Sequence, residues 1–316
     1  MRRSRISLVF VVAAFLLLPS SMAAAQAWVN AKGELSLTLR SDYQTSQGVW
    51  HGPTLVTGLP AQSLNNAFSA EYIPIDKLSL GLTLNGNGVR YTGPLMNPGD
   101  PTVILAHGTQ DDGAFHWNVT DLDLDAHYQL YDGAITLTPL IHFRTPVTSY
   151  EQKGYAASGT HLREGSLGLY LGKYGLGLDD LVIQLGYTFT YVQKETGGGA
   201  ATEQYRTNRS DADLSVSYVI TEKFIAGVGA AFRYTHDGFD LADYPALLQM
   251  DPNSTLQFWH DPVLRAKYLA PTAFASYQIS PAWSLAARFA AIVWGENVSN
   301  PISFGISLGW ANNLVD

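Results

Sequence analysis

Acidic, basic and imidazole side chains recur at every second position in two stretches of this chain. A spacing of two places side chains on one face of an extended strand. Carboxylate and guanidinium groups on one face can select ions and solutes where that face borders a water-filled pore. The candidate lumen-lining residues are Asp121, Asp123, Asp125, His127, His142, Arg144, Asp211, Asp213 and Arg233.

The first stretch is interrupted by Asp132-Gly133, a pair typical of a two-residue hairpin turn. A turn at this pair would place Asp123 opposite His142 and Asp121 opposite Arg144. Opposite charges across two strands stabilise their pairing by up to about 1 kcal/mol. Two interpretations therefore stay open: a charged lining that selects solutes, or a lumen filled by ion pairs that satisfy one another.

Metal binding and catalysis have weaker support in the sequence. Asp123, His127 and His142 are of metal-ligand types, but no closely spaced ligand motif accompanies them. A nucleophilic serine needs a base within hydrogen-bond reach, and none of the eight histidines is followed two residues later by serine. We therefore predict no metal, cofactor or catalytic residue. An outer-membrane barrel enzyme that acts on lipid remains an alternative.

The elements that would position these side chains are strands of alternating polarity. In the last of them, bulky apolar side chains from Ile302 to Trp310 alternate with serine and glycine. This alternation suits a barrel wall with lipid outside and water inside. Twelve such stretches follow one another along the chain.

The connections between these stretches alternate between two lengths, as in outer-membrane barrels. A soluble sandwich has no reason to place every long loop at one end. The sequence therefore predicts an all-β fold, a transmembrane antiparallel up-and-down β-barrel of twelve strands without a plug domain. The long connections lie near 43–63, 92–116, 145–162, 193–208, 236–264 and 294–301, and the short ones near 74–77, 131–134, 173–181, 220–224 and 279–283.

The N-terminus has the three parts of a secretory signal. Three arginines precede an apolar run from Ile6 to Leu18, and small residues end at Ala25-Gln26-Ala27. The run is shorter than the about 20 residues that a membrane-spanning helix needs. We expect cleavage after Ala25 or Ala27, with residues 1–27 as the signal peptide and residues 28–316 as the barrel.

Charge and cysteine content exclude further classes of protein. The net charge of the chain is −8, and no block of lysine or arginine follows the N-terminus, so nucleic-acid binding is not expected. The chain has no cysteine, so it offers neither disulfides nor a thiolate metal site.

The segment Pro146–Lys173 reads PVTSYEQKGYAASGTHLREGSLGLYLGK. Its Gly-Tyr-Ala-Ala-Ser-Gly core, the following Leu162-Arg163-Glu164 and an alternating strand are similar to exported barrels grouped as phenol meta-pathway outer-membrane transporters. This resemblance implies a channel for small, often apolar or aromatic, compounds. Barrels of this kind usually finish on an aromatic residue, whereas Trp310 is followed here by Ala-Asn-Asn-Leu-Val-Asp.

Taken together, these features predict an outer-membrane channel or uptake pore for small molecules in a Gram-negative bacterium. Its expected partners are outer-membrane lipid and a small-molecule solute. The alternatives are the lipid-modifying barrel enzyme and a structural barrel with a blocked lumen. The solute and the oligomeric state are left open.

Overall fold

A computed structural model of the chain describes residues 27–93, 110–152, 154–195, 205–243 and 260–314. Residues 1–26, which hold almost all of the predicted signal peptide, lie outside this range. The strand segments are β1 (Glu34–His51), β2 (Thr54–Ile75), β3 (Leu78–Tyr91), β4 (His116–Tyr128), β5 (Tyr131–Asp132), β6 (Thr136–Pro146), β7 (Glu164–Tyr174), β8 (Leu181–Val192), β9 (Arg209–Thr221), β10 (Phe224–Thr235), β11 (Lys267–Gln278), β12 (Trp283–Ala291), β13 (Trp294–Glu296), β14 (Val298–Ser299) and β15 (Ile302–Asn313).

The strands form one closed antiparallel ring. Each strand pairs with its neighbour along the chain, and β15 pairs with β1 from Glu34↔Asn313 to Thr45↔Ile302. Three barrel strands are each made of two segments, which are β4 with β5, β12 with β13, and β14 with β15. The ring therefore has twelve strands, which confirms the predicted up-and-down barrel.

Helical structure is sparse in the described part of the chain. A 3₁₀ turn covers Leu241–Asp243, and a single helical turn covers His260–Val263. No helix among the described residues is long and apolar enough to cross a membrane.

The outer face of the ring is apolar because large hydrophobic side chains occupy alternate positions of the strands. In β15, Phe304 and Ile306 are exposed, whereas Ser303 and Ser307, which flank this pair, are buried. Leu39, Leu124 and many others continue this exposed apolar surface on the remaining strands. An apolar exterior around a polar interior is the arrangement of a transmembrane barrel.

Glycines on the inner face make room for carboxylates of neighbouring strands. A Cβ atom at Gly305 would overlap the carboxylate of Asp42. One at Gly81 would overlap Asp125 in the same way. The sequence thus pairs small residues with charged ones across adjacent strands, so that charged side chains can lie along the wall.

The first hairpin is longer than the sequence predicted. Residues 43–63 were expected to form a loop, but β1 and β2 continue to His51 and Thr54 and reverse at Gly52, which has a φ of 51°. Residues 54–60 of β2, which precede Ala61, do not pair with β3. Residues 54–58 are exposed on both faces, and the sequence there loses the alternation. Residues 294–301, also predicted as a loop, contain β13 and β14.

The predicted register of the central hairpin is wrong by two residues. Asp123 lies opposite Arg144 and not His142, and Asp121 lies opposite Pro146 and not Arg144. The chain reverses after Asp132, which pairs with Thr136. Gly133 does not have a positive φ, so the expected two-residue turn does not form. A shift of two residues keeps every side chain on its predicted face.

Candidate functional site

The inner face carries a continuous row of ion pairs that begins on β4. Arg144 of β6 donates from Nε to Oδ1 of Asp123 at 2.6 Å and from Nη2 to Oδ2 at 2.9 Å. Nη1 of the same guanidinium lies 4.0 Å from Oε2 of Glu164 on β7. Bidentate pairs of this kind combine charge with fixed geometry.

The row continues beyond Glu164 to β9 and β10. Arg209 donates to both oxygens of Glu164, at 2.9 and 2.5 Å. Its Nε lies 3.4 Å from Asp211, which Arg233 of β10 contacts at 2.6 Å. We call this set the ion-pair row; its members are Asp123, Arg144, Glu164, Arg209, Asp211 and Arg233.

The other predicted lumen residues lie beside this row. Asp121 accepts a hydrogen bond of 3.1 Å from the Tyr150 hydroxyl. His142 Nε2 lies 3.7 Å from Asp123 Oδ1, and His127 Nε2 lies 3.7 Å from Asp125 Oδ2. The two histidines thus approach different carboxylates. Within the described ranges, no three His, Asp or Glu side chains are grouped to hold a metal ion.

Asp213 differs from the other predicted carboxylates. Its side chain lies over Gly186 on β8, where a Cβ atom would overlap it. Its Oδ2 is buried, with no hydrogen-bond partner among the described residues. Asp213 is therefore the least compensated charge of the predicted set.

A second charged cluster lies on β1 and β12 and was not predicted from the sequence. Asp42 accepts from Arg288 Nη2 at 3.0 Å, and Arg40 Nε lies 2.9 Å from its other oxygen. We call Arg40, Asp42 and Arg288 the shared-carboxylate cluster. Alternation with Ser36 and Thr38 signals the inward position of Arg40, but Asp42 directly precedes the predicted loop near 43–63 and was not assigned to a face. Glu164, which lies just after the predicted loop near 145–162, was missed in the same way.

A cavity of about 140 Å³ adjoins the shared-carboxylate cluster, and we call it the mid-lumen cavity. Phe274 and Asp213 also line it. Many of the inward side chains that border the cavity are small, which leaves the space open between the larger Arg40, Phe274 and Arg288. The small residues along the cavity include Ser215, Ala231, Thr272, Ala286, Gly305 and Ser307.

A larger cavity of about 530 Å³ lies at the end of the barrel where the long connections meet, and we call it the outer cavity. Its wall combines aromatic and aliphatic side chains with a few polar ones. Tyr91 and Tyr155 stack there with ring centroids 4.5 Å apart. Other apolar residues of this wall are Val49, Leu59, Val89, Leu241 and Leu264.

The connection between β6 and β7 folds inward over the outer cavity. Asp111 anchors it by accepting hydrogen bonds from the backbone N–H groups of Tyr155, at 2.9 Å, and Ala156, at 2.7 Å. Burial, together with the nearby Asp111 carboxylate, raises the pKa of Tyr155 to about 12. The phenol therefore stays uncharged at neutral pH, and the stacked tyrosine pair presents an apolar surface.

Residues 27–30, which we call the N-terminal strap, cross the inside of the barrel at its opposite end. Ala27 is the last residue of the predicted signal peptide, and cleavage after Ala25, the first of the two predicted sites, keeps it in the mature strap. Ala27 is fully buried; its N–H donates to Gln184 Oε1 at 3.2 Å, and its carbonyl accepts from the Thr138 hydroxyl at 2.5 Å. The N–H of Val29 donates to Gln129 Oε1 at 2.8 Å. Since Gln184 also lines the mid-lumen cavity, the strap lies directly at the boundary of that cavity.

Comparison with known structures identifies the same fold in channels. An outer membrane channel from Pseudomonas putida F1 superimposes with a TM-score of 0.68 at 13% identity, covering 92% of this chain and 100% of that one. The NanC porin superimposes with a TM-score of 0.51 at 11% identity, covering 87% and 98%. No protein-family model and no curated protein matches the chain. The predicted resemblance to outer-membrane barrel transporters is thus confirmed at the level of the fold.

Proposed function

We propose that this protein is an outer-membrane channel for the uptake of small molecules in a Gram-negative bacterium. The observation that carries the proposal is the succession of two cavities inside one closed barrel with an apolar exterior. In outer-membrane barrels the long loops face outward and the short turns face the periplasm. A solute would therefore meet the outer cavity first and the mid-lumen cavity second.

The wall of the outer cavity supports small apolar or aromatic compounds as solutes. Its volume of about 530 Å³ lies within the range of small-molecule sites, which are lined mainly by apolar side chains with few polar ones. Tyr155, which stacks on the buried Tyr91, offers an aromatic surface to such a solute. In this proposal the protein binds and passes solutes and catalyses no reaction.

The predicted lumen-lining residues would give the channel its charge preference. Charged groups inside a pore bias the passage of ions and polar solutes. Around the ion-pair row and the mid-lumen cavity, carboxylates outnumber guanidinium groups, so we expect a preference for cations among small ions. The carboxylates are Asp42, Asp121, Asp123, Asp125, Glu164, Asp211 and Asp213, and the guanidinium groups are Arg40, Arg144, Arg209, Arg233 and Arg288.

Planar-bilayer recording and liposome uptake with the purified barrel test this proposal. We expect discrete conductance steps, and faster entry of small aromatic solutes into liposomes than of sugars of similar mass. A protein-free liposome gives the background rate. The absence of both conductance and uptake above that background would overturn the proposal.

The second candidate is a structural barrel with a blocked lumen, which the N-terminal strap favours. The strap crosses the lumen and is held by three hydrogen bonds to inner-face side chains. If it never moves, the interior serves as filling only. Conductance by the unmodified protein would exclude this candidate.

A further inference from the structure

The mid-lumen cavity contains two guanidinium groups that share one carboxylate. Asp42 is almost completely buried and pairs with both Arg40 and Arg288. Each guanidinium has five N–H donors, so a single carboxylate cannot satisfy both groups. The side chain of Arg288 keeps 39% of its surface exposed, and that of Arg40 keeps 36%. Donors and positive charge therefore remain available at the cavity wall.

The rest of the cavity has the size and surface of an apolar pocket. Its volume of about 140 Å³ is close to that of engineered cavities of roughly 150 Å³ that bind benzene. Phe274 supplies an aromatic ring, and Ala231 and Ala286 supply small apolar walls. The cavity thus offers cationic donors beside a compact apolar surface, with Phe274 directly opposite Arg288 on the neighbouring strand.

We propose that the mid-lumen cavity binds a small monocarboxylate with a compact apolar body of about one ring. The carboxylate lies on Arg40 and Arg288, and the body packs against Phe274 and the alanines. Guanidinium groups recognise carboxylates through paired hydrogen bonds of matching geometry. The inference rests on the proposed function only in requiring that solutes reach the cavity.

Asp213 sets the orientation of this ligand within the cavity. It lines the same cavity, and its charge has no ion-pair partner among the described residues. Its repulsion of anions keeps the ligand carboxylate at the arginine side. The same repulsion selects monocarboxylates over dicarboxylates, since a second carboxylate would approach Asp213.

Isothermal titration calorimetry on the detergent-purified full barrel tests the proposal with benzoate as the probe. Benzamide has nearly the same shape without the charge, and acetate has the charge without the ring. We expect benzoate to bind at least about tenfold more tightly than either, because benzamide loses the charge-assisted bonds and acetate loses the apolar contact. Equal binding of benzoate and benzamide, or no benzoate binding at millimolar concentration, would overturn the proposal.

Variants assign the binding to this cavity. Arg288→Gln and Phe274→Ala should each weaken benzoate binding about tenfold or more. Arg265→Gln is the matched control, because Arg265 is ion-paired to Asp240, is similarly exposed at 37%, and does not line either cavity. Asp213→Asn should strengthen binding. Benzoate affinity that is unchanged by Arg288→Gln would refute the assignment.

The two proposals fail in different measurements. Absent conductance, with benzoate bound as described, would overturn the channel and leave the binding site standing. A barrel that conducts ions, but neither binds benzoate nor loses conductance when benzoate is added, would overturn the binding site and leave the channel standing.

Discussion

At the scale of single residues, Asp123 is a tightly held carboxylate of the lumen. It is 7% exposed and accepts hydrogen bonds from Arg144 and from the Asn85 amide. Asp121, two residues earlier on the same face, accepts a single side-chain bond from Tyr150. Asp121 and Asp123 are thus identical residues on the same face, but they differ in their hydrogen-bond partners. The difference comes from the side chains that neighbouring parts of the barrel supply.

This difference predicts unequal costs of neutralising the two carboxylates. Asp123→Asn removes the partner of the partly buried Arg144 and should lower the free energy of unfolding by about 1–3 kcal/mol. Asp121→Asn should cost less than about 1 kcal/mol. Urea titration of both variants in lipid vesicles measures the costs. Equal losses would mean that the Arg144 pair contributes no more than the tyrosine bond.

Asp213 is the residue whose charge we expect to act most directly on permeating ions. Its carboxylate has no ion-pair partner among the described residues, whereas Asp211 is bound by Arg233 at 2.6 Å. Asp213→Asn should therefore reduce cation preference, measured as the reversal potential in a salt gradient. The effect should be larger at 10 mM than at 1 M salt, since screening lengths fall from about 30 Å to about 3 Å. A reversal potential equal to that of the wild type would contradict this prediction.

At the scale of elements, side chains along each barrel strand point alternately to the outer face and to the lumen. Leu214 and Ser215 are adjacent in β9, yet the side chain of Leu214 is 46% exposed on the outer face, whereas Ser215 is 7% exposed on the inner face. This alternation is what made the strands and their facing predictable from sequence. It continues through both halves of the central hairpin, although the turn between them was misjudged.

The adjacent pair provides a test of the facing. Leu214→Arg should lower the free energy of unfolding by about 2–4 kcal/mol, because it places a charge in the apolar membrane interior. Ser215→Arg projects into the open cavity and should cost much less. Refolding titrations into lipid vesicles compare the two. Equal tolerance would show that the assigned faces are wrong.

Features that depend on contacts between distant strands were not predictable. Asp42 reaches Arg288 across β15 only because Gly305 has no side chain there, and no local pattern in β1 signals that contact. The turn after Asp132 follows from the pairing of β5 with β6 and overrides the preference of an Asp-Gly pair. The extended first hairpin was missed because alternation disappears where a strand has solvent on both faces.

At the scale of the whole molecule, the N-terminal strap lies across the lumen at the end of the barrel that holds the short turns. Gln129 and Gln184 accept hydrogen bonds from its backbone, and Gly172 leaves room for Ala27 and Trp28. A segment held by a few neutral hydrogen bonds, each contributing about 1 kcal/mol, is weakly attached. The strap therefore behaves as a constriction that side-chain changes can loosen.

Loosening the strap should increase the conductance. Replacing Gln129 and Gln184 together by alanine removes both acceptors and should raise the single-channel conductance above that of the wild type. Gln193→Ala is the control, because Gln193 accepts from the Arg163 N–H at the opposite end of the barrel. Identical conductance in all three proteins would show that the strap does not limit permeation.

The orientation of the barrel is tested at the tip of the first hairpin. An epitope inserted between Gly52 and Pro53 should be labelled on intact cells, because this turn lies at the long-loop end. An epitope between Gly133 and Ala134 lies at the other end and should be labelled only after permeabilisation. The reverse labelling pattern would invert the model of insertion.

The alternation of inward and outward side chains along β4 and β6 has an evolutionary consequence. Because faces repeat every two residues, a turn that gains or loses two residues returns each carboxylate and arginine to the lumen with a new partner. A gain of one residue would turn the charged side chains toward lipid, where they are costly. Related barrels can therefore differ in hairpin length by even numbers of residues. Their charged side chains then form different ion pairs, but the same side chains still line the pore.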